Sequence, residues 1–107
     1  MWITVCKIAD VPPGTGREAV VGDQIVALFN VDGAFYALDG VCPHQGGPLG
    51  KGALQGCILT CPWHGWQFDV RNGEFQLHKS IVQPQFDVRV ENDDVQVRVV
   101  SESPKQT

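Results

Sequence analysis

The sequence has no cluster of lysine and arginine. Its 8 basic residues are spread among 12 acidic ones, and the formal net charge is −4. That argues against nucleic acid or an anionic membrane as the main partner and suits a partner with a basic docking face. No apolar stretch approaches the roughly 20 residues that cross a bilayer. The opening Trp2, Ile3, Thr4 and Val5 follow no basic region and lead into no long apolar run, so no signal peptide is expected. A soluble, cytoplasmic protein is the expectation. In a reducing compartment its 4 cysteines serve as metal ligands or free thiols rather than as two disulfides. Helical periodicity is missing from every segment of a dozen residues, and there is no internal repeat and no linker.

What is present reads as strand. With 107 residues the chain has the size of one domain, and its 12 glycines and 7 prolines imply many turns. Phe86, Val88 and Val90 alternate with Asp87, Arg89 and Glu91, and Val95, Val97 and Val99 alternate with Gln96 and Arg98. With Asn92-Asp93 between them, these runs predict a C-terminal hairpin with one apolar face. Residues 24–31 and 34–38 flank Asp32-Gly33 and predict a second hairpin. Residues 66–70 and 74–77 flank Arg71-Asn72-Gly73 and predict a third. Residues 2–6 and 17–21 are further strand candidates. Residues 7–11 suit a single helical turn, which Pro12-Pro13-Gly14 blocks. The fold class expected is all-β, an antiparallel sandwich or barrel base. Residues 1–100 form the domain, with 101–107 as a polar tail.

Residues 41–69 interrupt this pattern. They are rich in glycine and proline and hold Cys42, Cys57, Cys61, His44 and His64, three of the four cysteines and two of the three histidines. Within them stand Cys42-Pro43-His44-Gln45-Gly46-Gly47-Pro48 and Cys61-Pro62-Trp63-His64-Gly65-Trp66. Each loop offers one sulfur and one imidazole. The segment between them contains Ile58-Leu59 and enough glycine for a short hairpin that returns the second loop beside the first. A structural zinc site usually groups two Cys and then two His, whereas here they interleave as C-x-H and C-x-x-H. The pattern suits two irons instead, one taking both thiolates and the other both imidazoles. A zinc module stays as the alternative.

The stretch from Cys42 onward, above all Cys61-Pro62-Trp63-His64-Gly65-Trp66-Gln67-Phe68-Asp69, resembles the cluster-binding segment of the Rieske family, and the flanking strands match a small Rieske ferredoxin in size and order. The resemblance implies one 2Fe–2S cluster on Cys42, His44, Cys61 and His64, in a loop-rich insert over about residues 41–69. It further implies a one-electron carrier between a flavin-dependent ferredoxin reductase and a terminal aromatic-ring oxygenase. The alternative is the small Rieske subunit of a larger oxidoreductase such as assimilatory nitrite reductase. Backbone N–H groups around residues 45–47 and 65–66 are expected to bond the sulfurs, and Pro84 either belongs to a third loop over the cluster or breaks an edge strand.

The chain is not expected to be an enzyme. Once the cluster takes two histidines only His78 is left, and an oxygenase iron needs two histidines and a carboxylate. Moreover, 43 residues after His64 are too few for a catalytic domain, and Gln45 stands where oxygenase clusters commonly have arginine. His78 itself is read as a surface residue and Arg89 and Arg98 as solvated strand faces. Cys6 and Cys57 are read as small buried hydrophobes, and Trp63 and Trp66 as packing the loops onto the sheet.

With two thiolates and neutral imidazoles the oxidised unit carries no net charge, so it is reduced more easily than an all-cysteine cluster. High-potential relatives add a loop-bridging disulfide, at the positions of Gly47 and Trp63, and a serine hydroxyl, at that of Trp66; this chain has neither. A redox titration of the cluster-loaded protein is therefore expected to give roughly −150 to 0 mV, and a midpoint far above this range refutes the expectation.

Overall fold

The computed structural model describes residues 2–43, 46–63 and 65–98. His44, Gln45 and His64, and with them the imidazole half of the expected ligand set, lie outside the described residues, as does the expected polar tail at 101–107. Among the described residues there are ten strands: β1 (Trp2–Lys7), β2 (Thr15–Val21), β3 (Gln24–Val31), β4 (Ala34–Asp39), β5 (Ala53–Gln55), β6 (Ile58–Thr60), β7 (Gln67–Asp69), β8 (Gln85–Phe86), β9 (Val88–Glu91) and β10 (Asp94–Arg98). Two single 3-10 turns, Ile8–Asp10 and Leu49–Lys51, complete the regular structure. The first occupies the site where one helical turn was expected. No described helix is long and apolar enough to cross a membrane.

The strands form three antiparallel sheets in the orders β1-β10-β9, β2-β3-β4-β8 and β5-β6-β7. The four-stranded sheet is the shared wall of two cores. On β3, Ala27 and Phe29 face one core while Val26 and Leu28 face the other. This is why residues 26–29 read as an unbroken apolar run: a strand covered on both faces needs no polar alternation. One core receives Val95 and Val97 from β10. The other receives Leu59 from β6 and Phe68 from β7, and it also contains Cys42 and Cys61.

Two predicted hairpins close as expected. Asp32 (φ 52°) and Gly33 (φ 94°) turn β3 into β4, and Asn92 (φ 58°) lies in the turn from β9 to β10. Both turns demand the left-handed region that Asp, Asn and Gly tolerate. The run 86–91 is not one arm, however. Phe86 pairs with Ala37 of β4, whereas Val88 pairs with Val97 of β10. The chain changes sheets at Asp87, whose carbonyl accepts the Arg98 N–H at 2.9 Å. Phe86 and Val88 nevertheless pack against the same core, so the alternation persists across the break. The third hairpin is also altered. Its first arm is β7, but its second arm makes only a bridge of Phe75 to Phe68, flanked by Asp69 N–H to Glu74 O (2.9 Å) and Gln76 N–H to Gln67 O (2.8 Å).

Asn30 joins these parts. It is 2% exposed; its Nδ2 donates to the Val11 carbonyl at 2.7 Å and its Oδ1 accepts the Gly33 N–H at 2.7 Å. The side chain thus fixes both the β3–β4 turn and the segment between the first 3-10 turn and β2. Asn30→Ala leaves the carbonyl of the fully buried Val11 without its donor and frees the Gly33 N–H from the turn. The expected loss is about 3 kcal/mol of unfolding free energy, read from the midpoint of a urea titration.

Candidate metal centre

Cys42 and Cys61 are carried by hairpin tips. Beyond β4, Leu49 N–H donates to Gly40 O (2.9 Å), Val41 bridges Pro48, and Cys42 N–H donates to Gly47 O (2.9 Å). Beyond β6, the pairing Thr60 to Gln67 continues as Cys61 N–H to Trp66 O at 2.7 Å. In both tips the bond runs from a cysteine to the residue five positions on, Pro43 or Pro62 follows the cysteine, and Gly46 (φ 78°) or Gly65 (φ 75°) precedes the closing residue. Those glycines supply the left-handed conformation that closes each tip. His44 and His64 fall inside the two tips by sequence position.

The sulfurs meet. Cys42 is 2% and Cys61 1% exposed, and their thiols are within hydrogen-bonding contact of one another. Burial is the main influence on Cys61 and pushes its thiol pKa above the ordinary range; the Trp63 N–H donates to its sulfur and acts in the opposite direction. Two adjacent buried thiols favour a cation that takes up both as thiolates, since the ligating form is the deprotonated one. The donor set therefore fits the thiolate half of a 2Fe–2S site. Among the described residues no group of three or more His, Cys, Asp or Glu side chains could hold a metal.

The sulfur donor that the structure shows is not one of those expected. The Gly46 N–H is taken by the Cys42 carbonyl at 2.8 Å, so it is not aimed at sulfur. The Trp63 N–H, which sequence reading missed, does reach one. Trp66 packs as expected, stacked on Phe75 with centroids 4.1 Å apart and planes at 14°. Trp63 departs from the expectation in standing 50% exposed, although its Cβ lies against Gly47. Cys6 is buried in β1, as read. Cys57 is only half-buried, because it sits in the β5–β6 turn rather than in a strand. Its thiol donates to Asp69, and its carbonyl accepts the Val70 N–H at 2.9 Å. Asp69 is also gripped by Arg71 through Nη2 (2.8 Å) and Nε (3.1 Å), and this guanidinium holds its carboxyl below the usual range. His78 is exposed, with Ser80 Oγ 2.7 Å from its Nδ1.

A third segment closes the site from the side. Asp39 N–H donates to Pro84 O (2.8 Å), and Gln83 Nε2 donates to the carbonyls of Asp39 (2.8 Å) and Val41 (2.6 Å). Pro84 thus stands directly before the short strand β8 and beside the first tip. No local signal marks Gln83, which stands between Val82 and Pro84 outside any regular strand.

A family model described as "Rieske [2Fe-2S] domain" matches residues 1–96. The chain is 37% identical over 102 residues to apoptosis-inducing factor 3 of Mus musculus; the match covers 89% of this chain but only 16% of that protein's length. It is 38% identical over 74 residues to ferredoxin CarAc of Metapseudomonas resinovorans, covering 68% of this chain and 69% of the relative. Among solved structures, it matches a chain in the complex of reduced oxygenase and oxidized ferredoxin in carbazole 1,9a-dioxygenase at 34% identity and TM-score 0.81, covering 90% of this chain and 91% of that one. It also matches a putative NADH-dependent nitrite reductase small subunit from Mycobacterium tuberculosis at 27% identity and TM-score 0.84, covering 94% and 96%.

Gly47 is where the two tips touch. A Cβ there would lie 2.8 Å from Cys61 Sγ and 3.0 Å from Trp63 Cβ. Gly47→Ala must displace one sulfur, so the variant is expected to fold yet retain well under half the parent's iron and acid-labile sulfide, by colorimetric assay of purified protein.

Proposed function

Because the chain belongs to the Rieske 2Fe–2S domain family, we propose that it is a one-electron carrier whose cluster is held by Cys42 and Cys61 through sulfur and by His44 and His64 through ring nitrogen. A Rieske domain holds one such cluster, which supplies a site that gains and loses a single electron near neutral charge. The observation that carries the reading is the meeting of two buried thiols at the ends of two matched tips, each with one histidine in its span.

The chain's own residues perform three tasks in this reading. The tips bring the Cys42 and Cys61 sulfurs together, so that both would hold the same metal as thiolates. The Trp63 N–H stabilises negative charge on the Cys61 sulfur. Leu49, Leu59, Phe68 and the stacked Trp66 and Phe75 exclude water from the sulfur side, which leaves the tips as the outlet for the electron.

The partner reading is a terminal oxygenase as acceptor, with a flavin-dependent ferredoxin reductase as donor. It draws on the similarity to a ferredoxin and to a chain of an oxygenase–ferredoxin complex at nearly matching lengths. A second reading, the fixed small subunit of a nitrite reductase, has the match to such a subunit in its favour. In either case the chain moves electrons and the partner performs the chemistry.

Protein purified anaerobically is expected to contain two irons and two acid-labile sulfides per chain. Cys42→Ser and Cys61→Ser abolish cluster assembly, whereas His78→Ala leaves the reduced-state EPR signal intact. Zinc in place of iron, or a His78→Ala protein that bleaches while His64→Ala does not, rejects the ligand assignment. Elution alone from size exclusion favours the carrier, and co-purification with a large oxidoreductase favours the subunit.

A further inference from the structure

We propose that Gln83 is a positioning residue for the cluster, acting through the peptide that carries Cys42; this rests on Cys42 being a ligand. Gln83 is one of three buried polar residues among those described, at 3% exposure. Both hydrogen bonds of its side chain go to the first tip. One Nε2 donates to Asp39 O at 2.8 Å and to Val41 O at 2.6 Å.

The second of these bonds matters most. The Val41 carbonyl and the Cys42 N–H belong to the same peptide plane. At its far edge, the Cys42 N–H donates to Gly47 O at 2.9 Å. The plane is therefore held from both sides, by an amide outside the tip and a carbonyl inside it. Rotating it breaks both bonds, and rotation is what would swing the Cys42 sulfur away from Cys61. Hydrogen bonds at the two ends of one peptide also polarise each other, so the outer bond strengthens the inner one.

Gln83 is itself held in place. Its N–H donates to Gly73 O at 2.8 Å, and Gly73 (φ 81°) lies so close that a Cβ there would collide with the Gln83 carbonyl. Glu74 bridges Val82, and Phe75, next along, stacks on Trp66 of the second tip. Gln83 thus transmits the position of the second tip's support to the first tip. Two donors on a side chain of this length are needed to span the carbonyls of Asp39 and Val41. Leucine and methionine fill the space without donating.

The test compares Gln83→Leu and Gln83→Met with the parent, with Gln85→Leu as control. Gln85 is exposed and donates to Arg71 O at 2.8 Å, away from the tips. Both Gln83 variants are expected to fold and take up cluster. They should then lose it to an iron chelator several-fold faster and show a lower midpoint potential and altered reduced-state EPR g values, while the control does none of these. Unchanged g values and loss rate in both Gln83 variants overturn the proposal, as does failure of both to fold, since the amide is assigned to the tip and not to the core. A wrong ligand assignment shows itself separately, as retained cluster in Cys42→Ser.

Discussion

The site depends on one constraint: two sulfurs must be buried side by side although they lie in different loops. The chain meets it twice with the same device. Cys42 and Cys61 each donate a backbone N–H to the carbonyl five residues on, after a proline and before a left-handed glycine. Each tip extends a pair of strands or bridged segments, so its geometry is inherited from a ladder rather than left to a free loop. The thiols then approach as two ends of rigid elements. The entropy of ordering them is met largely by strand pairing, not by metal binding alone.

The four-stranded sheet makes this possible by separating tasks. Its β3 strand is covered on both faces, so the core around Val95 and Val97 can close without the core that contains the cysteines. The core that contains Cys42 and Cys61 is more specialised. Phe29, Leu38, Leu49, Leu59 and Phe68 belong to the same buried cluster as the two cysteines. Burial of this kind disfavours a thiolate in the absence of a cation. The same surroundings thus make metal the natural counter-charge.

Much of this was legible in the sequence, and the reasons differ by element. The meeting of Cys42 and Cys61 could be expected because spacing, proline and glycine repeat across the two loops. β3, β4 and the last hairpin could be read because their turns require residues that tolerate positive φ. The sheet change at Asp87 could not, because Phe86 and Val88 keep one face buried while their hydrogen-bond partners change; alternation reports the face and is silent about the partner. Cys57 was expected to be buried like Cys6, yet it lies in the turn before β6 and is only half-buried. Gly46 lies within the span 45–47 whose N–H groups were expected to bond sulfur, but its own N–H closes the backbone turn.

Gln83 belongs to the least legible class, a polar side chain whose partners lie 42 and 44 positions away. Nothing local selects glutamine there. What selects it is the geometry of the first tip, where the carbonyls of Asp39 and Val41 turn inward just before the cysteine. Buried carbonyls need donors. A tip that donates its own N–H groups to its own closure has none to spare for them. The donor must then come from another segment, and the one that runs alongside is residues 82–84, anchored through Pro84 O to Asp39 N–H. The closing of each tip on itself thus creates the demand that a third segment fills, which ties the order of the cysteine-bearing tips to a distant stretch of chain.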